Sequence, residues 1–387
     1  MFESIGFLFP NDLHVHWTLM IVMYPYITGL VAGAFIVSSM YHVFGKEEFK
    51  PIGRYSLLVS LAFLVVATLP LLLHLGHPER SFNIVITPNF SSAMAGFGFL
   101  YAFYLLILLL EVWLVFRPDI IECARASTGF RRAMYKFLAL GVYDISPQTL
   151  KRDRRVVTIL AAVGIPAACT LHGYVGFLFG AIKANPWWST PLMPVIFLFS
   201  AVVSGIAALI IFYQISMKVR GEQIDQRCIS GLSRILWYFL IVTVTLELLE
   251  IITLGYERAE EWEVISQILT HQLSFSFISV QMIGGALIPM ILLGIAVLMD
   301  KHLLPPLRNT LAFVAGSLLM MQVLAMRWNV VIGGQIFSKS LRGFRDYSAE
   351  FLGKEGILVA IIIFAIPCLL VYVFNRILPS FQTKELD

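Results

Sequence analysis

Charged side chains are scarce in this 387-residue chain, at 13% of all residues, where a soluble domain carries about a quarter. This scarcity excludes an ordinary soluble globular protein. Hydrophobic residues reach 58% and the mean hydropathy is +0.82. They gather in runs of about twenty, the length with which an α-helix crosses a hydrocarbon core of about 30 Å. We predict an all-α polytopic membrane protein in the lipid bilayer, with no nucleic-acid partner.

Cysteine is also scarce, and the four cysteines stand apart from one another in the sequence. The sequence has no C-x-x-C pair, no C-x-x-C-H motif and no disulfide framework. We therefore expect no iron–sulfur cluster and no covalently attached haem in this chain. Any electrons that it handles have to be exchanged with a partner.

The hydrophobic runs predict nine membrane spans. Their approximate bounds are 17–44, 55–75, 92–116, 156–181, 191–217, 231–255, 272–298, 310–326 and 356–378. With the N-terminus outside, 20 of the 28 Lys and Arg fall in inner segments. Because inner loops of membrane proteins are rich in Lys and Arg, we expect the N-terminus outside and the C-terminus in the cytoplasm of a bacterium or archaeon. The first 16 residues hold no Lys, no Arg and no cleavage site, so the first run is predicted to be a retained span.

The segments between the spans differ in charge. The inner segment 117–155 carries several basic runs, which favour an anchor on anionic lipid head groups. On the outer side, 256–271 is acidic and 327–355 is long and polar. These two outer segments are the candidate docking surfaces for a partner.

Small residues at every fourth position suggest an internal repeat. Gly29 and Gly33 in the first span have counterparts in Ala201 and Gly205 of the fifth, and such residues allow close packing of membrane helices. We therefore predict two four-helix bundles and one peripheral helix. The predicted units are 1–185 with the outer N-terminal segment and basic inner loop, 186–350 with the outer loop, and 351–387 with the last span and inner tail.

Histidine and tryptophan are concentrated towards the outer side. The outer histidines are His14, His16, His74, His77, His172 and His271. An imidazole donates hydrogen bonds and transfers protons near neutral pH. A b-type haem would need two facing imidazoles at matched depth, and His172 has no such mid-span counterpart. The outer tryptophans are predicted to form an interfacial belt.

A quinone site needs an apolar crevice and a few polar groups near the membrane surface. The candidates at the outer ends are Asn11, His14, His16, His172, Tyr174, Glu247, Glu250 and Arg327. Glu247 and Glu250 share one helix face, and they either form a structural bridge to Arg327, make a polar contact between helices or carry protons. Glu111, towards the inner end of the third span, is expected to be an interface carboxylate that reaches water or a proton relay.

Five segments, in order along the sequence, resemble the membrane subunit of polysulfide reductases in the NrfD-like family. The later ones resemble the branch with the hydrogenase-2 membrane subunit and its relatives in alternative complex III. The segments are Pro10-Asn11 through His16-Trp17, His74-Leu75-Gly76-His77-Pro78-Glu79-Arg80, His172-Gly173-Tyr174, Pro186-Trp187-Trp188-Ser189-Thr190-Pro191 and Arg327-Trp328-Asn329-Val330-Val331-Ile332-Gly333-Gly334-Gln335.

The resemblance implies two four-helix bundles, no prosthetic group in this chain, and a quinone site on the outer side beneath an iron–sulfur protein. In the polysulfide reductase pattern a His and an Asn hold the quinone head group, and His16 and Asn11 match them. One residue fewer separates the two here, which leaves His14 as a rival.

The same resemblance assigns further roles. The polysulfide reductase pattern has a Tyr in a later span, for which Tyr174 is the candidate. In alternative complex III a His and an Arg serve the quinol, and His172 and Arg327 match them. The acidic residue that follows that His there is absent here, where Leu178 or a neighbour stands, so the proton route departs from the pattern.

Together these features predict a quinone-reactive membrane subunit of a respiratory oxidoreductase complex. It would exchange electrons and protons with menaquinone or another membrane quinone through His16, His172 and Arg327, with proton transfer by Glu247, Glu250 and Glu111. The expected partners are an outer ferredoxin-type iron–sulfur subunit and, behind it, a catalytic molybdenum or nickel–iron subunit or a multihaem cytochrome. The alternatives are a secondary transporter or proton-translocating module and a b-type cytochrome.

Overall fold

The computed structural model describes residues 14–257, 260–337, 341 and 343–381. In this part of the protein, nine helices are long and apolar enough to cross a membrane, which confirms the predicted all-α polytopic class. They are α1 (Leu19–His42), α2 (Glu47–His74), α3 (Ala93–Ala126), α4 (Pro147–Gly180), α5 (Met193–Arg220), α6 (Gln226–Glu257), α7 (Phe275–Leu298), α8 (Pro305–Ile336) and α9 (Ile357–Ile377). We call the side of the α1–α2 connection inner and the opposite side outer, after the charge distribution.

The helices α1 and α5 form the centre of the molecule. Their most apolar stretches are 94% and 72% buried, against 22% for α9. The two small-residue motifs contact each other, because Gly29 lies against Ala201 and Gly33 against Gly205. The helix α9 packs against α2 and α1. The two halves of the protein therefore meet through their first helices, and the division into two bundles stays a prediction.

The helices α3 and α4 run further towards the inner side than predicted, each by about two to three turns. These added turns stay helical in part because Arg117, 1% exposed, forms a buried ion pair with Asp153 across the two helices. A third, amphipathic helix, Gly129–Leu138, lies between them. The prediction of one continuous basic loop over 117–155 is therefore wrong.

The helix α8 also extends beyond its predicted end at residue 326 and reaches Ile336. Its last turns remain helical because they pack against the connection between α4 and α5, where the Trp188 indole Nε1 donates to the Val330 carbonyl at 2.7 Å. Gly334 leaves the room that this indole needs, since a Cβ there would overlap it. Arg327 consequently lies inside the helix and is 1% exposed, so the prediction that it closes the span at the outer surface is wrong.

Candidate functional site

The segment that precedes α1 is held at the outer side by a side chain from the far end of α8. The backbone N–H of Trp17 donates to Gln335 Oε1 at 2.9 Å, and the Trp17 carbonyl accepts from Gln335 Nε2 at 3.0 Å. His14 and His16, just before it, are exposed. Asn11 lies outside the described residues. The predicted head-group ligands that are described therefore sit at the outer rim of the bundle.

An aromatic cluster lies beneath this segment. Trp17 stacks on Trp188 with ring centroids 5.0 Å apart, and Phe179 meets both rings edge-on at 5.6 and 5.5 Å. Phe197 continues the cluster at 5.4 Å from Phe179. Trp188 is only 5% exposed, so it packs inside the protein and does not form part of the predicted interfacial belt, whereas Trp17 is partly buried. The segments with Trp17, Trp188 and Gln335, separated in sequence, meet here.

The loop before α9 also contacts the start of α1. The Arg345 guanidinium donates to the His14 carbonyl at 3.3 Å, and the Leu19 N–H donates to the Tyr347 hydroxyl at 3.0 Å. Burial raises the pKa of the Tyr347 phenol, which keeps the hydroxyl protonated.

A carboxylate from the same loop completes these contacts. Glu355 accepts a hydrogen bond from Thr18, the residue that caps α1, and its Oε2 lies 3.0 Å from Nδ1 of His74 at the end of α2. Sequence reasoning noted His74 only as one outer histidine among several. We call Gln335, Arg345, Tyr347 and Glu355 together the outer clasp, because all four bind residues 14–19.

Arg327 lies below the aromatic cluster and is held by neutral groups. Its Nη2 donates to Ser200 Oγ at 2.8 Å and to the Phe197 carbonyl at 3.2 Å, and the guanidinium sits 3.8 Å above the Phe197 ring. Its Nε has no hydrogen-bond partner among the described residues. In the described part of the protein no salt bridge joins it to Glu247 or Glu250, so the structural bridge considered for these residues is not formed.

His172 is buried in α4 between two backbone carbonyls. Nδ1 lies 2.6 Å from the Ala168 oxygen and Nε2 lies 2.5 Å from the Thr28 oxygen of α1. A neutral imidazole has one N–H and can donate to one of these oxygens, whereas the imidazolium donates to both. Tyr174, two residues later, points elsewhere: its hydroxyl donates to the Ala93 carbonyl at the start of α3, at 2.8 Å. The Tyr174 hydroxyl and the His172 imidazole therefore do not face the same site.

A buried series of hydrogen bonds crosses the second half of the molecule. Ser276 donates to Asn329 Oδ1 at 2.6 Å, Asn329 to Gln281 Oε1 at 2.7 Å, and Gln281 Nε2 to Glu247 Oε2 at 3.0 Å. Gln322 contacts Glu247 from the other side at 3.4 Å. Glu247 lies ten residues before the end of α6, which is about 15 Å along a helix. The series therefore runs from the outer end of α7 to a carboxylate deep in the protein.

Sequence reasoning found Glu247 but missed its amide and hydroxyl partners. The available signal was the presence of the amides Gln281 and Gln322 inside otherwise apolar spans, where an unsatisfied polar group is costly. The first half of α7, Phe275–Leu287, is π-helical, a form that is frequent at functional sites. The π-helical first half of α7 therefore carries Gln281 towards the buried carboxylate of Glu247.

The other two predicted proton carriers differ in their surroundings. Glu250 is partly buried, and its Oε1 has no hydrogen-bond partner among the described residues. Glu111 is 0% exposed and neither carboxylate oxygen has a described partner. The expectation that Glu111 reaches water at the interface is wrong, because the Arg117–Asp153 ion pair lies about two turns further towards the inner end of α3 and closes that side.

Comparisons with known proteins show the family to which the sequence belongs. A selenate reductase subunit of Mesobacillus selenatarsenatis is 30% identical over 382 residues, which cover 93% of this chain and 86% of that protein. A polysulfide reductase chain of Wolinella succinogenes is 26% identical, over 84% of this chain and 96% of its own length. The Hdr-like menaquinol oxidoreductase integral membrane subunit of Archaeoglobus fulgidus is 23% identical, over 89% and 77%. The model of the family described as "Polysulphide reductase, NrfD" matches residues 10–339, and the chain belongs to that family.

Proposed function

We propose that this member of the NrfD family is the quinone-reactive membrane subunit of a respiratory oxidoreductase complex. The observation that carries the proposal is the convergence, at one outer location, of the segment 14–18, the Trp188 connection and the end of α8 around an aromatic cluster above Arg327. The cluster supplies apolar surface, while the histidines and the arginine supply the polar groups that a quinone head group needs. The relatives are named as reductase or menaquinol oxidoreductase subunits, which supports the same role.

A menaquinone-type quinone, when bound, would accept two electrons and two protons, and its quinol would release them. His16 would hydrogen-bond a carbonyl of the head group and carry its proton, with His14 as the alternative, and Asn11 would hold the same head group. Arg327 retains one N–H, at Nε, that has no described acceptor and is available to an oxygen of the quinone. Its Nη2 donates to Ser200 and Phe197 and its Nη1 to the Met326 sulfur, so the guanidinium is already oriented.

Proton transfer would use the buried polar groups. In the series from Ser276 to Glu247 each donor points towards the carboxylate, which is therefore its terminal acceptor. His172 gains a second hydrogen bond when its ring is protonated, because two carbonyls already face it. Glu250 and Glu111 are proposed as further proton carriers, since each has a carboxylate oxygen without a described partner.

Electrons would pass to or from an iron–sulfur partner on the outer side. The acidic segment there forms the helix Glu260–Gln267, next to Tyr256, which is 88% exposed. This surface and the loop before α9 would form the docking site, with the N-terminus outside and the C-terminus in the cytoplasm. A catalytic molybdenum or nickel–iron subunit or a multihaem cytochrome would stand behind the iron–sulfur protein.

Lysine cross-linking of the intact complex tests the partner and the orientation together. The exposed Lys183 and Lys354 lie on the outer side, and the exposed Lys136 and Lys151 on the inner side. We expect the iron–sulfur subunit to be linked to the outer pair. Links confined to the inner pair would overturn the assignment.

Turnover with a soluble menaquinol analogue tests the central proposal. The purified complex should oxidise the quinol or reduce the quinone, and the isolated chain should show no haem bands in its visible spectrum. Haem bands would favour the b-type cytochrome. Ion flux through the protein in liposomes without any quinone would favour the transporter.

A further inference from the structure

A polar cavity lies at the inner side, away from the proposed quinone site. Its volume is about 230 Å³, and it is bounded by the start of α6, the connection between α7 and α8, and the short turn that opens α2. Three arginines line it: Arg227, Arg234 and Arg308. The proposed quinone chemistry uses none of them.

One wall of the cavity is an internally neutral pair. Arg308 Nε lies 3.0 Å from Asp300 Oδ1, and Arg308 Nη2 donates to the Asp300 carbonyl at 2.5 Å. These contacts fix the connection between α7 and α8 against the start of α8. Arg308 therefore braces the wall and contributes little free charge.

The opposite wall carries positive charge that the described residues leave uncompensated. Arg227 and Arg234 are seven residues apart on α6, about two turns, so both lie on the face that borders the cavity. Neither makes a hydrogen bond or an ion pair in the described part of the protein. The carboxylate of Glu48 borders the same space and comes close to α6 because Gly231 has no side chain there. Two guanidinium groups against one carboxylate leave one spare positive charge.

We propose that this cavity binds the phosphodiester of an anionic phospholipid head group. A phosphodiester carries a single negative charge, which matches the spare positive charge. Guanidinium groups bind phosphate oxygens through paired N–H donors. The cavity opens between helix ends at the inner side, where basic pockets between membrane helices accept anionic head groups. The inference does not depend on the quinone site.

Native mass spectrometry of the purified complex, after delipidation and addition of phosphatidylglycerol, tests this binding. The wild-type complex should retain one more phosphatidylglycerol per chain than an Arg227→Gln/Arg234→Gln variant. A control variant, Arg80→Gln/Lys183→Gln, removes two exposed cations from the outer side, away from the cavity, and should retain the wild-type number. Phosphatidylcholine, which has no net charge, should be retained less than phosphatidylglycerol.

A second measurement separates the lipid from a soluble source of phosphate. Excess inorganic phosphate should leave the melting temperature of the delipidated wild-type complex unchanged, and phosphatidylglycerol should raise it. Inorganic phosphate alone could instead raise the melting temperature, and do so only when both arginines are present. The cavity would then bind phosphate, but its ligand would be a soluble phosphate and not a lipid. Equal lipid retention in all variants, together with no response to either phosphate, would overturn the proposal.

Discussion

Gly33 of α1 and Gly205 of α5 touch backbone to backbone: a Cβ on Gly205 would lie 2.6 Å from the Gly33 Cα atom. No other residue type fits such a contact without moving a helix, because the neighbouring atoms are backbone. This crossing sets the relative position of the two helices from which the outer site is built, with the outer clasp above α1 and Ser200 on α5 below.

Gly205→Ala should therefore lower the free energy of unfolding by about 1–3 kcal/mol, the usual cost of forcing extra volume into a packed core. Thermal denaturation of the purified protein in detergent measures the loss. Gly173→Ala is the matched control, since the nearest atom to a Cβ there is the Pro194 carbonyl oxygen at 3.8 Å. Equal melting temperatures for both variants would contradict the close crossing.

Replacing His16 with Ala should remove quinone-dependent turnover while the complex still assembles. The residue is exposed and the backbone of Trp17 beside it is held by Gln335, so truncation should leave the outer segment in place. Steady-state kinetics with a menaquinol analogue measure the effect. If His14→Ala abolishes turnover and His16→Ala does not, the role belongs to His14.

The variants Arg327→Ala and Arg327→Lys distinguish a role of Arg327 in quinone binding from a role in the stability of the fold. Alanine removes this donor from Ser200 and Phe197, which still hydrogen-bond each other at 3.1 Å, and empties the space of a large buried side chain, so the melting temperature should fall. Lysine restores a charge but not the planar fork. If Arg327 binds the quinone, both variants should lower turnover or raise the Michaelis constant, even where lysine recovers the melting temperature. Normal turnover in a stable lysine variant would reject the quinone role.

Glu247→Gln keeps the size of the side chain and, through its amide oxygen, an acceptor for Gln281, but removes its ability to take up a proton. Gln281 and Gln322 should still contact it, so we expect little change in melting temperature. Turnover should fall by at least about tenfold if the carboxylate carries protons, in the range typical of a lost acid–base group. Glu79→Gln changes an exposed outer carboxylate that lies outside the proposed docking surface and should be neutral. Wild-type rates in both variants would remove Glu247 from the route.

Glu355→Gln tests the outer clasp against a nearby pair of the same kind. The pair of His74 and Glu355 is about three-quarters buried and joins distant segments, whereas His77 and Glu79 are two residues apart and about two-thirds exposed. Exposed pairs contribute little to stability. Limited proteolysis should therefore cut near residue 14 faster in Glu355→Gln but not in Glu79→Gln. Identical digestion patterns would show that the pair does not hold the segment.

The spans were predictable because twenty-residue apolar runs are forced by the thickness of the membrane. The inner ends of α3 and α4 were not, since Arg117 and Asp153 look like solvated loop charges until a partner on another helix is known. The same reason explains Arg327, whose acceptors on α5 depend on how helices rotate against each other. Amides such as Gln281 are visible in the sequence of a span, but their partners on other helices are not.

The outer clasp has a consequence for biosynthesis. Residues 14–19 leave the ribosome well before Tyr347 and Glu355, which bind them and are translated more than 300 residues later. At the 5–20 residues per second typical of synthesis, that interval is at least about 15 seconds. During it the emerging protein has inserted its first eight spans without closing its outer rim. A nascent or truncated protein that lacks the loop before α9 thus carries an open rim.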